Sequence, residues 1–251
     1  MVLPNLITVL AICAGLSGIR LAFEHRFEVA VTMVLIAAFL DGIDGRIARM
    51  LKATSRFGEQ MDSLADIVNF GAAPALVLYA YLLDHATSFG WIAALVFTIA
   101  CGLRLARFNV LIGDNSTAPW QTDYFVGVPA PAGAVLVMLP IYLGFLGVPV
   151  TSGFALLASA YTLVVAFLLV SRLPVYSGKG TGARIRRDLV FPLILGIVIY
   201  VLLLASFTWM TLALSAIAYL VFLPFSAWAY QRRAAREAAA EAARKGAERI
   251  G

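Results

Sequence analysis

Apolar residues run along this chain in long blocks, and polar residues collect in the short gaps between them. A helix that crosses a bilayer needs about 20 mostly apolar residues. Windows of that size fit eight times, over roughly 4–23, 28–50, 59–83, 89–112, 128–147, 152–172, 189–206 and 208–229. The blocks are continuous rather than alternating, which argues for helices and against a transmembrane β-barrel. Two gaps are long. The stretch "GDNSTAPWQTDYFVG" over 113–127 is rich in turn formers, and "LPVYSGKGTGARIRRD" over 173–188 is glycine-rich and basic. Pro129 and Pro131 read as residues that shape the start of the fifth window.

Composition agrees with this pattern. Of 251 residues, 62% are hydrophobic and only 13% charged, and the mean hydropathy is +0.91. A soluble domain carries about 25% charged residues, so lipid must solvate most of this surface. The expected fold class is all-α: a polytopic transmembrane bundle of about eight spans. Residues 1–230 read as the membrane domain and 231–251 as a basic helical tail. The tail "QRRAAREAAAEAARKGAERI" is a good helix former, a solvated extension of the last helix or a contact for anionic headgroups. No Lys or Arg precedes Arg20, so the basic start of a signal peptide is missing. Cys13 and Cys101 both fall in apolar windows and read as small buried residues, with no disulfide framework implied.

Charge then fixes an orientation. If eight spans alternate, every Lys and Arg except Arg20 and Arg26 falls on one side. The positive-inside rule makes that side cytoplasmic and places both termini there. The expected location is a cell membrane of the bacterial inner-membrane type. Membrane lipid is the expected partner, and no nucleic-acid partner is expected.

The unusual chemistry lies in "DGIDGRIARMLKATSRFGEQMDSLAD". Asp41 and Asp44 are three apart and share a helix face; Asp62 and Asp66 are four apart and share a face of the next helix. Gly45, Ala48 and Gly58 lie among them, and small residues let helices or a ligand approach closely. Four carboxylates on adjoining helices repel one another without a cation. Oxygen-only sites of this kind suit Mg²⁺ or Mn²⁺, and two such ions can hold a phosphate and activate a hydroxyl. Arg49, Lys52 and Arg56 would suit a phosphate-bearing ligand. Two other readings are a solvated loop of acid–arginine pairs and a cation pathway. The clustering of the acids at one surface argues against the pathway.

The pattern D41-x2-D44-G45-x2-A48-R49-x8-G58-x3-D62-x3-D66 resembles the signature of the CDP-alcohol phosphatidyltransferases at every fixed position. The resemblance implies transfer of a phosphatidyl group from a CDP-linked lipid to an alcohol, with release of CMP. It implies that Asp41, Asp44, Asp62 and Asp66 bind two divalent cations and that Asp66 is also the general base. It further implies contacts with CDP-diacylglycerol from Gly45, Ala48, Arg49, Ser55 and Gly58. The opening "PNLIT" resembles the family's N-terminal nucleotide-binding element, which adds Asn5 and Thr8; by residue type alone these two are equally ordinary helix caps. Members of the family are often homodimers.

Three further stretches, "GLRLARFNV", "YFVGVPAPAGA" and "SRLPVYSGKG", resemble the multi-spanning bacterial members that use L-serine. A guanidinium can grip the amino-acid carboxylate bidentately. Arg104 and Arg107 share a face, and one of them is expected to meet that carboxylate, with Arg172 or Lys179 assisting and Asn109 nearby. Each arginine is otherwise a flanking charge of the positive-inside kind. The expected products are phosphatidylserine and CMP. Glycerol 3-phosphate or inositol as acceptor is the alternative within the class, and a cation transporter is the alternative outside it.

Overall fold

The structure is a computed structural model that describes residues 2–50, 55–111, 124–176 and 187–248. Helices occupy all eight apolar windows. The first two are α1 (Val2–Phe23) and α2 (Phe27–Met50). α3 (Arg56–Asp66) runs through a π-helical turn (Ile67–Ala72) into α4 (Ala73–Tyr81). After a 3₁₀ turn (Leu83–Ala86) come α5 (Thr87–Leu111), α6 (Ala130–Val137), α7 (Leu139–Phe145) and α8 (Ser152–Val170). The chain ends in α9 (Arg187–Ser206) and α10 (Thr208–Glu248). Among the described residues, five helical stretches are long and apolar enough to cross a membrane: Asn5–Phe23, Phe57–Tyr81, Leu83–Val110, Ser152–Val170 and Thr208–Arg236. Ala130–Phe145 and Val190–Ser206 are apolar but shorter. The protein is a multi-pass helical membrane protein.

Local chemistry explains the boundaries. His25 adopts φ 60° after α1, where Arg26 N–H bonds the Leu21 carbonyl at 2.9 Å and His25 N–H bonds that of Ala22 at 3.0 Å. That pair of bonds closes a helix C-terminus and turns the chain into α2. The Ser55 hydroxyl caps α3 by accepting from Gly58 N–H at 3.0 Å, and Thr151 caps α8 by accepting from Phe154 N–H at 3.2 Å. The fifth window is not one helix. It breaks at Met138, just before Pro140, whose missing N–H cannot bond the Leu136 carbonyl. Pro129 stands at the N-cap of α6, at the start of that window.

Two expectations are corrected. Both long gaps contain a strand: β1 (Tyr124–Val126) pairs antiparallel with β2 (Pro174–Tyr176), Phe125 opposite Val175. Three-residue strands are too short to show a period of two in sequence. Cys101 is buried, as expected, but Cys13 is exposed on α1. A lipid-facing position gives a thiol the same apolar surroundings as a core.

Small residues bring the helices together. Ala11 and Ala22 of α1, and Ala30, Val31, Val34 and Ala37 of α2, are all buried. Ala65, Ala73, Ala75, Ala93 and Ala94 continue this small-residue packing through α3, α4 and α5. α9 is the opposite case, with its apolar side chains from Val190 to Leu203 exposed. α10 continues without a break from its apolar part into the basic tail, ending at Glu248.

Candidate active site

Four helices supply the polar groups. α2 carries Asp41 and Asp44, α3 carries Asp62 and Asp66, α1 carries Asn5 and Thr8, and α5 carries Arg104, Arg107 and Asn109. The spacing within α2 and α3 turns each pair toward the other helix. One carboxylate oxygen from each of Asp41, Asp62 and Asp66 falls within 4.8 Å of the others.

Asp44 plays a separate part. It is 2% exposed, and its Oδ2 accepts the Thr8 hydroxyl at 2.7 Å. Thr8 is therefore not a helix cap; it lies within α1 and anchors a carboxylate of α2. Among the described residues, the other oxygen of Asp44, Oδ1, is buried without a hydrogen-bond partner, and so is Oδ1 of Asp41. A buried polar atom left unpaired is costly, and a carboxylate more so. A cation offsets that cost. The donor set is all oxygen, the chemistry that Mg²⁺ and Mn²⁺ favour. The residues thus fit a divalent metal site on three counts: convergence, donor type and orphaned oxygens.

The candidates for nucleotide contact divide. Asn5, Ser55 and Gly58 meet: a Cβ added at Gly58 would stand 3.1 Å from both Asn5 Oδ1 and Ser55 Oγ. A side chain there would crowd that corner between α1 and α3 unless Asn5 or Ser55 shifted. A Cβ at Gly45 would meet nothing within 4 Å, so no described neighbouring helix uses the smallness of that residue. Ala48 and Arg49 belong to α2, but their side chains lie outside the described set, as does that of Arg56. Lys52 and Lys179 lie outside the described residues altogether.

The two arginines of α5 differ sharply in their partners. Arg107 spends its guanidinium on main-chain carbonyls: Nη1 donates to Val170 at 2.9 Å, and Nη2 to Ser171 at 3.1 Å and Val126 at 3.2 Å. It ties the end of α8 to β1. Arg104 is 7% exposed and, among the described residues, commits Nε alone, to the Val128 carbonyl at 2.6 Å. Its charge acts on Asp66, and its guanidinium lies 5.8 Å from the Phe108 ring centre. Asn109 Nδ2 donates to Ser63 Oγ at 3.0 Å, which links the end of α5 to the residue after Asp62. Arg172 is exposed beyond the end of α8.

Some contributors were invisible in sequence. The carbonyls of Val126, Val128, Val170 and Ser171 carry no side-chain signal. Ser63 had one, a hydroxyl between Asp62 and Asp66 on the same helix.

The family profile described as CDP-alcohol phosphatidyltransferase matches residues 1–170, and that described as CDP-alcohol phosphatidyltransferase 2 matches residues 188–224. The chain is 41% identical to a CDP-diacylglycerol–serine O-phosphatidyltransferase of Mycobacterium leprae, over 90% of this chain and 74% of that protein. It is 50% identical to the protein of the same description from Mycobacterium tuberculosis, over 53% of this chain and 46% of that one. An archaetidylserine synthase of Methanothermobacter thermautotrophicus is 33% identical over 72% of each chain. With a profile match over residues 1–170 and 41% identity over most of both chains, the chain belongs to the CDP-alcohol phosphatidyltransferase family.

Proposed function

We propose that this protein transfers the phosphatidyl group of CDP-diacylglycerol to L-serine, giving phosphatidylserine and CMP. The observation that carries this reading is the meeting of Asp41, Asp62 and Asp66 oxygens within 4.8 Å, beside the buried Asp44. The descriptions of the relatives support serine as the acceptor.

Asp41, Asp44, Asp62 and Asp66 are the residues that would hold two divalent cations, Mg²⁺ or Mn²⁺. When bound, these supply positive charge beside the pyrophosphate. The chain's own groups do the rest. The corner of Asn5, Ser55 and Gly58 receives part of the CDP group, and the open face of Gly45 lets it lie close to α2. Asp66 accepts the proton of the serine hydroxyl as the oxygen attacks the lipid-side phosphorus. The bond from that phosphorus to the CMP oxygen breaks, and CMP leaves with the electron pair. Such transfers depend mostly on positioning and charge.

Arg104 is the better of the two arginines for the serine carboxylate. Nε is fixed by Val128, while its two terminal nitrogens have no hydrogen-bond partner among the described residues. That leaves one edge of a planar fork, already oriented, near Asp66. Arg107 instead keeps the segment after Val126 in place.

The same reading takes all eight helical stretches as spans, with both termini and the aspartates on the cytoplasmic side of a bacterial inner membrane. Residues 1–230 then form the membrane domain and 231–251 the tail, and two chains associate as a homodimer. The test is CMP release by purified protein given CDP-diacylglycerol and Mg²⁺ or Mn²⁺, with serine, glycerol 3-phosphate and inositol offered separately. Release with serine alone is expected. Release with another alcohol would overturn the acceptor; no release with any would overturn the transfer.

A further inference from the structure

A second site lies away from the aspartates. Between the end of α8, the segment before β2 and one face of α10 runs an apolar groove of about 450 Å³. Leu168 and Leu173 form one wall; Leu223, Pro224, Trp228 and Gln231 form the other. No aspartate of the candidate active site lines it.

Three features describe what it would take. First, its walls are built on α8, the residues just after it, and α10, and both helices are long and apolar enough to span. The groove therefore opens where acyl chains are the solvent. Second, it does not collapse. Ser226, 2% exposed, donates to the Pro174 carbonyl at 3.1 Å and pins α10 to β2 at that level. Pro224 has no N–H for the Leu220 carbonyl, and its ring keeps the preceding turn from closing tightly. Third, its polar end is cationic. The Arg232 guanidinium lies 3.7 Å over the Trp228 ring, next in the chain to Gln231 at the end of the groove wall. Trp228 is itself 53% exposed. Tryptophan and arginine in this order mark the headgroup level of a bilayer, and the stacked ring holds the charge there.

We propose that this groove binds one anionic glycerophospholipid of the surrounding leaflet. An acyl chain lies along Leu168, Leu223 and Pro224, and the phosphate meets Arg232. A cationic rim on an apolar groove complements that ligand: it has a chain for the groove and a negative charge for the rim. A zwitterionic lipid fits the groove equally and the rim worse. The site is independent of the acceptor alcohol and of the transfer chemistry.

The experiment uses the purified full chain in a mild non-ionic detergent, without CDP-lipid. Tryptophan fluorescence is followed while phosphatidylglycerol with brominated acyl chains is added, and then the brominated phosphatidylcholine. Saturable quenching is expected, at about fivefold lower concentration for phosphatidylglycerol, the effect of one cation near a headgroup. Trp228→Phe should remove the saturable part. Arg232→Gln, a change on an exposed residue, should leave the quenching but bring phosphatidylglycerol to the phosphatidylcholine level. Asp41→Asn should leave the quenching by both lipids as it is, which separates this site from that of the donor lipid. Equal potency of the two lipids, an unaltered preference in Arg232→Gln, or loss of quenching in Asp41→Asn would each overturn the proposal.

Discussion

The Thr8 hydroxyl, on the first helix, donates to Asp44 on the second at 2.7 Å, across 36 positions of sequence. Thr8 is 5% exposed and Asp44 2%, so water cannot readily replace either partner. Removing the hydroxyl leaves a buried carboxylate with one fewer donor, a loss of about 1–3 kcal/mol. In Thr8→Val we expect the divalent-cation concentration for half-maximal CMP release to change about tenfold, with Thr8→Ser restoring it. An unchanged cation requirement in Thr8→Val would remove Thr8 from the metal-holding network.

The carboxylate cluster makes a prediction that needs no substrate. Asp41, Asp62 and Asp66 bring oxygens within 4.8 Å, with Asp44 beside them. Bare, these charges repel; a ligand that binds only the folded state stabilises it by mass action. Chelator should therefore lower the apparent Tm of the wild-type protein, and Mg²⁺ or Mn²⁺ should restore it. Asp41→Asn should be the less sensitive of the two, because one repelling charge and one ligand are gone together. The check is thermal unfolding in detergent with and without cation.

Asp66→Asn separates the base from the scaffold. The amide keeps the shape and loses the proton acceptor, and general base catalysis is worth about 10²–10⁴-fold. Turnover should fall by about that factor or more, while membrane insertion and folding are kept. Wild-type turnover in this variant would remove Asp66 from the proton transfer.

Much of this site was legible as spacing, and the remainder was not. Asp41, Asp44, Asp62 and Asp66 announce themselves because ionised groups beside apolar runs are rare and their three- and four-residue steps select a face. The helix positions were legible because bilayer thickness sets their length. Arg104 and Arg107 looked alike in sequence, since both end the same helix. What distinguishes them is the backbone they meet, and a carbonyl such as that of Val128 or Val170 has no letter. The π turn at Ile67–Ala72 was hidden for a related reason: its residues, IVNFGA, are those of an ordinary apolar helix.

The two arginines should accordingly fail in different ways. Arg107→Ala deletes three contacts to main-chain carbonyls, so stability should suffer first, by about 2 kcal/mol, or roughly 5 °C in apparent Tm. Arg104→Lys keeps a charge but loses the fork. It should raise the KM for serine roughly tenfold and leave that for CDP-diacylglycerol near its original value. Equal effects on both KM values would return Arg104 to a scaffolding role.

Gly127 tests whether the ribbon positions Arg104. It adopts φ +78°, and a Cβ there would lie 2.6 Å from the Leu169 carbonyl oxygen and 2.9 Å from that of Ser171. Both obstacles are backbone atoms, the first beside the Arg107 contact at Val170 and the second the Ser171 carbonyl that Arg107 itself holds, so they cannot swing aside as a side chain would. The next residue is Val128, whose carbonyl fixes Arg104. Relief of the clash must move β1, Val128, or both. Gly127→Ala should therefore lower stability as Arg107→Ala does and also raise the KM for serine as Arg104→Lys does. The KM for CDP-diacylglycerol should hold, since Asn5, Ser55 and Gly58 lie on α1 and at the start of α3. A stability loss with the serine KM unchanged would mean that Val128 does not set the position of Arg104.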